Sequence, residues 1–250
     1  MVSTLVSVIT IGATIALAGL LILGLGVAAR RASDDPARIT AIGSLVVGGW
    51  LFGVFLLGAM DVFASTPNTR FPLIALGISL PIVAGLAAWS SSERVRELAG
   101  AVPLPWIIGV QLYRVVGAVF LIAMVGGSVP EEFALPAGVG DVLVGLTAPA
   151  VGYAVYKGVR SWRSLATAWN FLGIADLVAA VTFGFLSSPS VFQVLASDTP
   201  NYPITRFPLV LIPTFAVPVS ILLHFFALKH PDAQAVPSGQ NPGRIQLARR

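Results

Sequence analysis

Three ionisable residues stand inside long uncharged stretches of this chain. Arg114 sits in Gln111-Leu112-Tyr113-Arg114, Asp141 in Gly138-Val139-Gly140-Asp141, and Asp176 at the end of Asn170-Phe171-Leu172-Gly173-Ile174-Ala175-Asp176. A charge near the centre of a bilayer is costly, so each is a functional hypothesis by default. Two readings compete. One Arg with two Asp is nearly self-neutralising, and such a network could simply fix helix packing. Alternatively, Arg114 pairs with one carboxylate and the other is left in a low dielectric to bind a cation, a proton or a polar ligand. Gln111 lies three before Arg114 and shares its helix face, as Asn170 does with Gly173. Tyr113 completes the surroundings. His224, late in the last apolar run, could relay a proton or pack as a satisfied histidine. Arg114, Asp141, Asp176, Gln111, Tyr113, Asn170 and His224 are therefore the candidate substrate- or ion-binding residues, with no catalytic or metal-ligating set among them.

These residues need helices to hold them. Hydrophobic residues make up 56% of the 250 residues and charged residues 10%, against about a quarter charged in a soluble domain. A bilayer core of about 30 Å needs roughly 20 apolar residues per helix, and a spanning backbone must satisfy its own hydrogen bonds. The apolar runs predict an all-α integral membrane protein with seven spans over 4–29, 39–63, 71–90, 103–126, 133–156, 164–187 and 207–229. At a rise of about 1.5 Å per residue, Arg114, Asp141 and Asp176 lie roughly 16, 12 and 18 Å into their helices, near one common depth.

The loops alternate in charge. Arg30, Arg31, Arg38, Arg94, Arg96, Lys157, Arg160, Arg163 and Lys229 share one side with the tail arginines; Arg70 and Arg206 are the cations of the other. The excess of Lys and Arg marks the cytoplasmic side, which makes the chain N-out and C-in. The first run has no positive charge before it, as a cleaved signal peptide would, and reads as a retained helix. Residues 1–229 form the transmembrane domain. The Pro-, Gly-, Ser- and Gln-containing segment 230–250 reads as a disordered cytoplasmic tail. The segment 188–206 is the longest connection, with turn residues and room for a short helix. Trp89, Trp106 and Trp162, near span ends, read as interface anchors.

Thr66-Pro67-Asn68-Thr69-Arg70-Phe71-Pro72-Leu73 precedes the third run. Thr199-Pro200-Asn201 and, after three residues, Thr205-Arg206-Phe207-Pro208-Leu209 precede the seventh. The shared Thr-Arg-Phe-Pro-Leu points to a parallel internal repeat, 1–90 with 133–229, joined by a connector helix at 103–126. A plain interfacial helix start accounts for the same residues, since Pro suits a first helical turn. Pro81, Pro149, Pro213 and Pro218 fall inside runs and can bend or break them. In topology alone, a three-plus-one-plus-three arrangement resembles the seven-helix sugar transporters.

The excess of basic residues does not point to nucleic acid, because the cations sit in short loops without interleaved aromatics. With no cysteine, thiolate metal sites and cysteine nucleophiles are excluded. Metalloprotease, phosphate-loop and serine-elbow motifs are missing as well. Lys229 lies too close to a span end for a retinal Schiff base. No cofactor is expected, and an enzyme acting on a lipid-soluble substrate ranks third. The leading expectation is a multi-pass plasma-membrane carrier for a small polar solute, coupled to a proton or ion. The alternative is a seven-helix receptor or ligand-binding protein for a quinone, pigment or lipid, without transport.

Overall fold

Each of the seven apolar runs folds into a helix long and apolar enough to cross a bilayer. In the computed structural model, which describes residues 2–234, these are span 1 (Thr4–Ala32), span 2 (Pro36–Ala59), span 3 (Ile74–Ser91), span 4 (Leu104–Val125), span 5 (Glu131–Lys157), span 6 (Trp162–Ser187) and span 7 (Ile212–Lys229). Among the described residues there is no strand. Seven such helices suit a polytopic membrane protein, and large apolar side chains such as Leu45, Phe52, Leu80, Leu143 and Leu172 face outward, where lipid contacts them.

Local chemistry sets the span ends. Ser3 accepts a hydrogen bond from the Val6 amide at the start of span 1. Asp35 does the same for Arg38 at the start of span 2, where Pro36 takes the first turn. Span 5 closes at Gly158, whose φ of 61° is left-handed. Span 2 stops at Ala59, before the expected 63, and Asp61 follows it exposed, with φ of 54°.

Spans 4, 5 and 7 form the interior, while spans 2 and 3 are peripheral and bury only Val54, Gly58 and Ile74. Span 5 packs along both span 4 and span 6; span 1 lies on span 2; span 3 leans on span 7, which also packs on span 6. Gly138, Gly145 and Gly152, seven apart, let span 5 approach span 4 closely. A Cβ at Gly145 would meet the Val115 amide nitrogen at 2.7 Å, and one at Gly152 the Pro105 carbonyl at 2.9 Å. Small residues at such spacing allow two membrane helices to pack backbone against backbone.

Two spans depart from a regular helix. Span 4 is α-helical over Leu104–Gly109, 3-10 over Val110–Gly117 and α-helical again over Ala118–Val125. Span 7 opens with a π turn over Ile212–Ala216 before α-helix Val217–Lys229, so Pro213 and Pro218 bracket an irregular stretch. The regular run expected from 207 starts later because 206–210 forms a bend and turns, with a cis Phe207–Pro208 bond. Pro81 and Pro149, by contrast, leave spans 3 and 5 helical throughout.

The basic loop after span 3 is not a plain loop. Glu93–Ala101 is a surface helix capped by Ser92. Arg94 ties it to span 1 through the Ala32 carbonyl at 2.7 Å, and Arg31 donates to the Ala101 carbonyl at 3.1 Å. The connection 188–206 contains no α-helix; a 3-10 turn, Pro203–Thr205, is its one helical piece. It folds back on the bundle, burying Ser188, Ser190, Asn201 and Ile204. The expected tail is ordered at its start: His230 is buried, its Nε2 donates to the Val102 carbonyl at 2.9 Å, and Pro231–Gln234 is helical. Residues 235–250 lie outside the described residues.

Candidate functional site

The 3-10 stretch of span 4 brings every third residue onto one line. Gln111, Arg114 and Gly117 are its three buried residues, and all face the interior. Arg114 reaches three spans from this line. Its Nε donates to Asp141 Oδ1 of span 5 at 2.7 Å. Its Nη2 forms ion pairs with Asp141, also at 2.7 Å, and with Asp176 of span 6. The remaining nitrogen donates to the Gly173 carbonyl and to His224 Nε2 of span 7, both at 3.3 Å. A guanidinium is always a donor, so Nε2 of His224 is the acceptor and the ring proton sits on Nδ1. That proton goes to Asn170 Oδ1 at 2.8 Å, and Asn170 Nδ2 donates to the Ala166 carbonyl at 2.8 Å. The imidazole is neutral in this arrangement. The layer then holds one guanidinium and two carboxylates, a formal charge of −1 unless it takes up a proton or cation.

Glycines make this layer possible, one on each of three successive spans. Asp141 of span 5 lies where a Cβ of Gly117 on span 4 would be. Asp176 of span 6 occupies the same place over Gly140 of span 5, and His224 of span 7 over Gly173 of span 6. Each polar side chain is thus seated on the bare backbone of the preceding helix. A Cβ at any of these positions would force the side chain seated there to shift.

A second polar contact runs alongside. Tyr113 donates to the Ala216 carbonyl at 2.8 Å, in the π turn of span 7, and its hydroxyl also pairs with Ser220 Oγ. Gln111 Nε2 donates to the Ser220 carbonyl at 3.2 Å, while its Oε1 is buried without a partner. All seven expected residues therefore lie at one level where spans 4 to 7 meet. Gln111 and Tyr113 bond to span 7 rather than to the charges. Ser220 escaped the sequence reading although it stands one helical turn before His224, on the same face. Trp169 stands beside His224, ring centres 5.2 Å apart, with its Nε1 donating to Thr147 at 2.9 Å.

Three hollows meet this layer. A void of about 30 Å³ is lined by Thr14, Tyr113, Arg114, Asp141 and Ser220, room for one water molecule. A cavity of about 390 Å³ lies toward the 188–206 connection, between spans 3, 6 and 7, and ends at Asp141. A larger one of about 950 Å³ lies toward the basic loops, under the surface helix and between spans 1, 4 and 7, and ends at Tyr113. Both are walled mainly by apolar side chains, and the polar level separates them.

A family model described as a domain of unknown function, DUF8737, matches residues 71–230. The chain belongs to this family. The matched stretch runs from the start of the third span through the seventh and contains all seven candidate residues, along with Gly117, Gly140, Gly173 and Ser220. No curated protein and no solved structure matches the chain. Among the described residues, no three His, Asp or Glu side chains are grouped as metal ligands would be.

Proposed function

We propose that this protein is a small secondary carrier in which the Arg114–Asp141–Asp176 level is the barrier between two access cavities. One observation carries this reading: cavities from opposite ends of the bundle stop at the same buried, net-negative layer, one at Asp141 and the other at Tyr113. A layer with one carboxylate more than its guanidinium can take up a proton or cation, which supplies a coupling charge. The irregular segments lie where such a barrier would have to move. Local 3-10 and π turns often mark hinges and functional sites; Val110–Gly117 carries Gln111, Tyr113 and Arg114, and Ile212–Ala216 supplies the Ala216 carbonyl that Tyr113 holds. The N-out, C-in orientation would make the 390 Å³ cavity external and the 950 Å³ cavity cytoplasmic, with the cell membrane as location. The Thr-Arg-Phe-Pro-Leu pair supports a duplication in which spans 1–3 and 5–7 are related.

A second reading has its own support. Arg114 makes hydrogen bonds with all its nitrogens, and a saturated network can be a fixed floor. The protein would then bind a ligand without moving it.

Accessibility separates the two. Because the chain has no cysteine, Ala180→Cys in one cavity and Ala99→Cys in the other are each the sole thiol. A carrier predicts that adding Asp141→Asn with Asp176→Asn changes the two rates of labelling by an impermeant maleimide in opposite directions. Rates that stay independent of each other contradict alternating access and favour the fixed-floor reading.

A further inference from the structure

The cavity of about 390 Å³ is within the size range of small-molecule sites, and its lining is selective. Asp141 is its one charged lining residue, and Arg114 does not reach it. Most of the wall is aliphatic or aromatic, from Ile78, Phe120 and Phe133 to Leu177, Val181 and Val217. A sugar or other polyhydroxylated solute would lose its water here and find few partners, which disfavours it. An anionic amphiphile would meet a carboxylate whose paired cation, Arg114, lies outside the lining.

A further polar residue belongs to the same lining. Ser65, 1% exposed, has a buried Oγ with no hydrogen-bond partner. Its neighbours in the wall are satisfied: Ser188 donates to the Gly184 carbonyl at 2.6 Å and Ser190 accepts from the Phe192 amide at 3.2 Å. A buried hydroxyl without a partner marks a place where one is expected. Part of its wall comes from span 3, which is almost wholly unburied, and from span 6, so two of the helices that line it also border the hydrocarbon.

We infer that this cavity binds a lipophilic amine, whose cationic head meets Asp141 and whose chain lies against spans 3 and 6, with Ser65 offering a hydroxyl to a polar atom on it. This names a substrate class for the carrier proposed above; only the transport step rests on that reading.

The test uses the full chain in phosphatidylcholine nanodiscs and dodecylamine bearing a diazirine on its chain. Photolabelling mapped by peptide mass spectrometry should be saturable and concentrated in residues 74–79 and 177–186. The corresponding alcohol and carboxylic acid should label these segments weakly. Asp141→Asn should weaken labelling by about tenfold or more, and Ser65→Ala by ~3-fold, as loss of a charge-assisted and of a neutral hydrogen bond would. Because Asp141→Asn also disturbs the pair with Arg114, Ala180→Phe, which fills the cavity from span 6, is the second variant and should abolish saturable labelling. Label spread evenly over lipid-facing residues, or equal labelling by acid and amine, overturns the inference. Saturable amine labelling without transport leaves the site standing and removes the carrier. Proton-coupled flux of polar solutes without amine labelling does the reverse.

Discussion

Replacing Gly173 by alanine adds one methyl group at a place already occupied. The new Cβ falls on the His224 ring at Cε1 and Nε2, and the ring has nowhere to retreat: His224 is fully buried, tied to Asn170 at 2.8 Å and to Arg114 at 3.3 Å. Overpacking a buried site costs about 1–3 kcal/mol. Losing the imidazole as a partner of a charged donor costs about 1.5–3 kcal/mol more. Alanine returns up to about 1 kcal/mol as the better helix former. The net loss is about 1.5–5 kcal/mol, on the order of 3–20 °C in Tm for a chain of this size. Gly12→Ala provides the comparison, since a Cβ there meets nothing within 4 Å and the change should be neutral or stabilising. The assay is thermal unfolding of detergent-solubilised protein followed by tryptophan fluorescence. A Gly173→Ala protein as stable as Gly12→Ala would refute the seating of His224 on span 6.

Other outcomes follow from the same layer. Arg114→Leu leaves Asp141, buried, and Asp176, partly buried, without their cation and should lose about 3–5 kcal/mol, whereas adding Asp141→Asn and Asp176→Asn to it should restore much of that stability; both are read by the same thermal assay. Tyr113→Phe removes the hydroxyl that bridges the Ala216 carbonyl and Ser220, at about 1–3 kcal/mol; an unchanged Tm would mean that this contact contributes nothing. Single cysteines at Thr66 and Ser33 should react with an impermeant maleimide from opposite faces of intact cells, Thr66→Cys from outside, and the reverse pattern would contradict the N-out orientation.

Much of the fold was legible because a bilayer leaves few choices: length and apolarity alone mark the seven spans to within a few residues. The common depth of Arg114, Asp141 and Asp176 followed from helical rise. The details that were missed are those that depend on neighbours. Nothing in Val110–Gly117 announces a 3-10 segment, because it arises where span 4 lies against the glycine line of span 5. The late start of span 7 reflects the bend and turns at 206–210 that apolar composition hides. The surface helix has a readable signal: Ser92 as cap and Val95, Leu98, Ala99 and Val102 at helical spacing form an amphipathic pattern in a stretch whose charge alone suggests a loop. The glycines were visible as residues, but the side chain that covers each comes from another helix, and only packing reveals which. Cavities leave no local signature at all.

The most direct measurement of the central claim is proton movement across proteoliposomes loaded with a pH-sensitive dye, driven by a panel of solutes that includes amphiphilic amines, sugars and carboxylates. The account predicts that at least one solute gradient drives protons through the wild-type protein, and that Asp141→Asn with Asp176→Asn abolishes this in protein that still folds. Undiminished coupled flux in that double variant would contradict the role assigned to the layer.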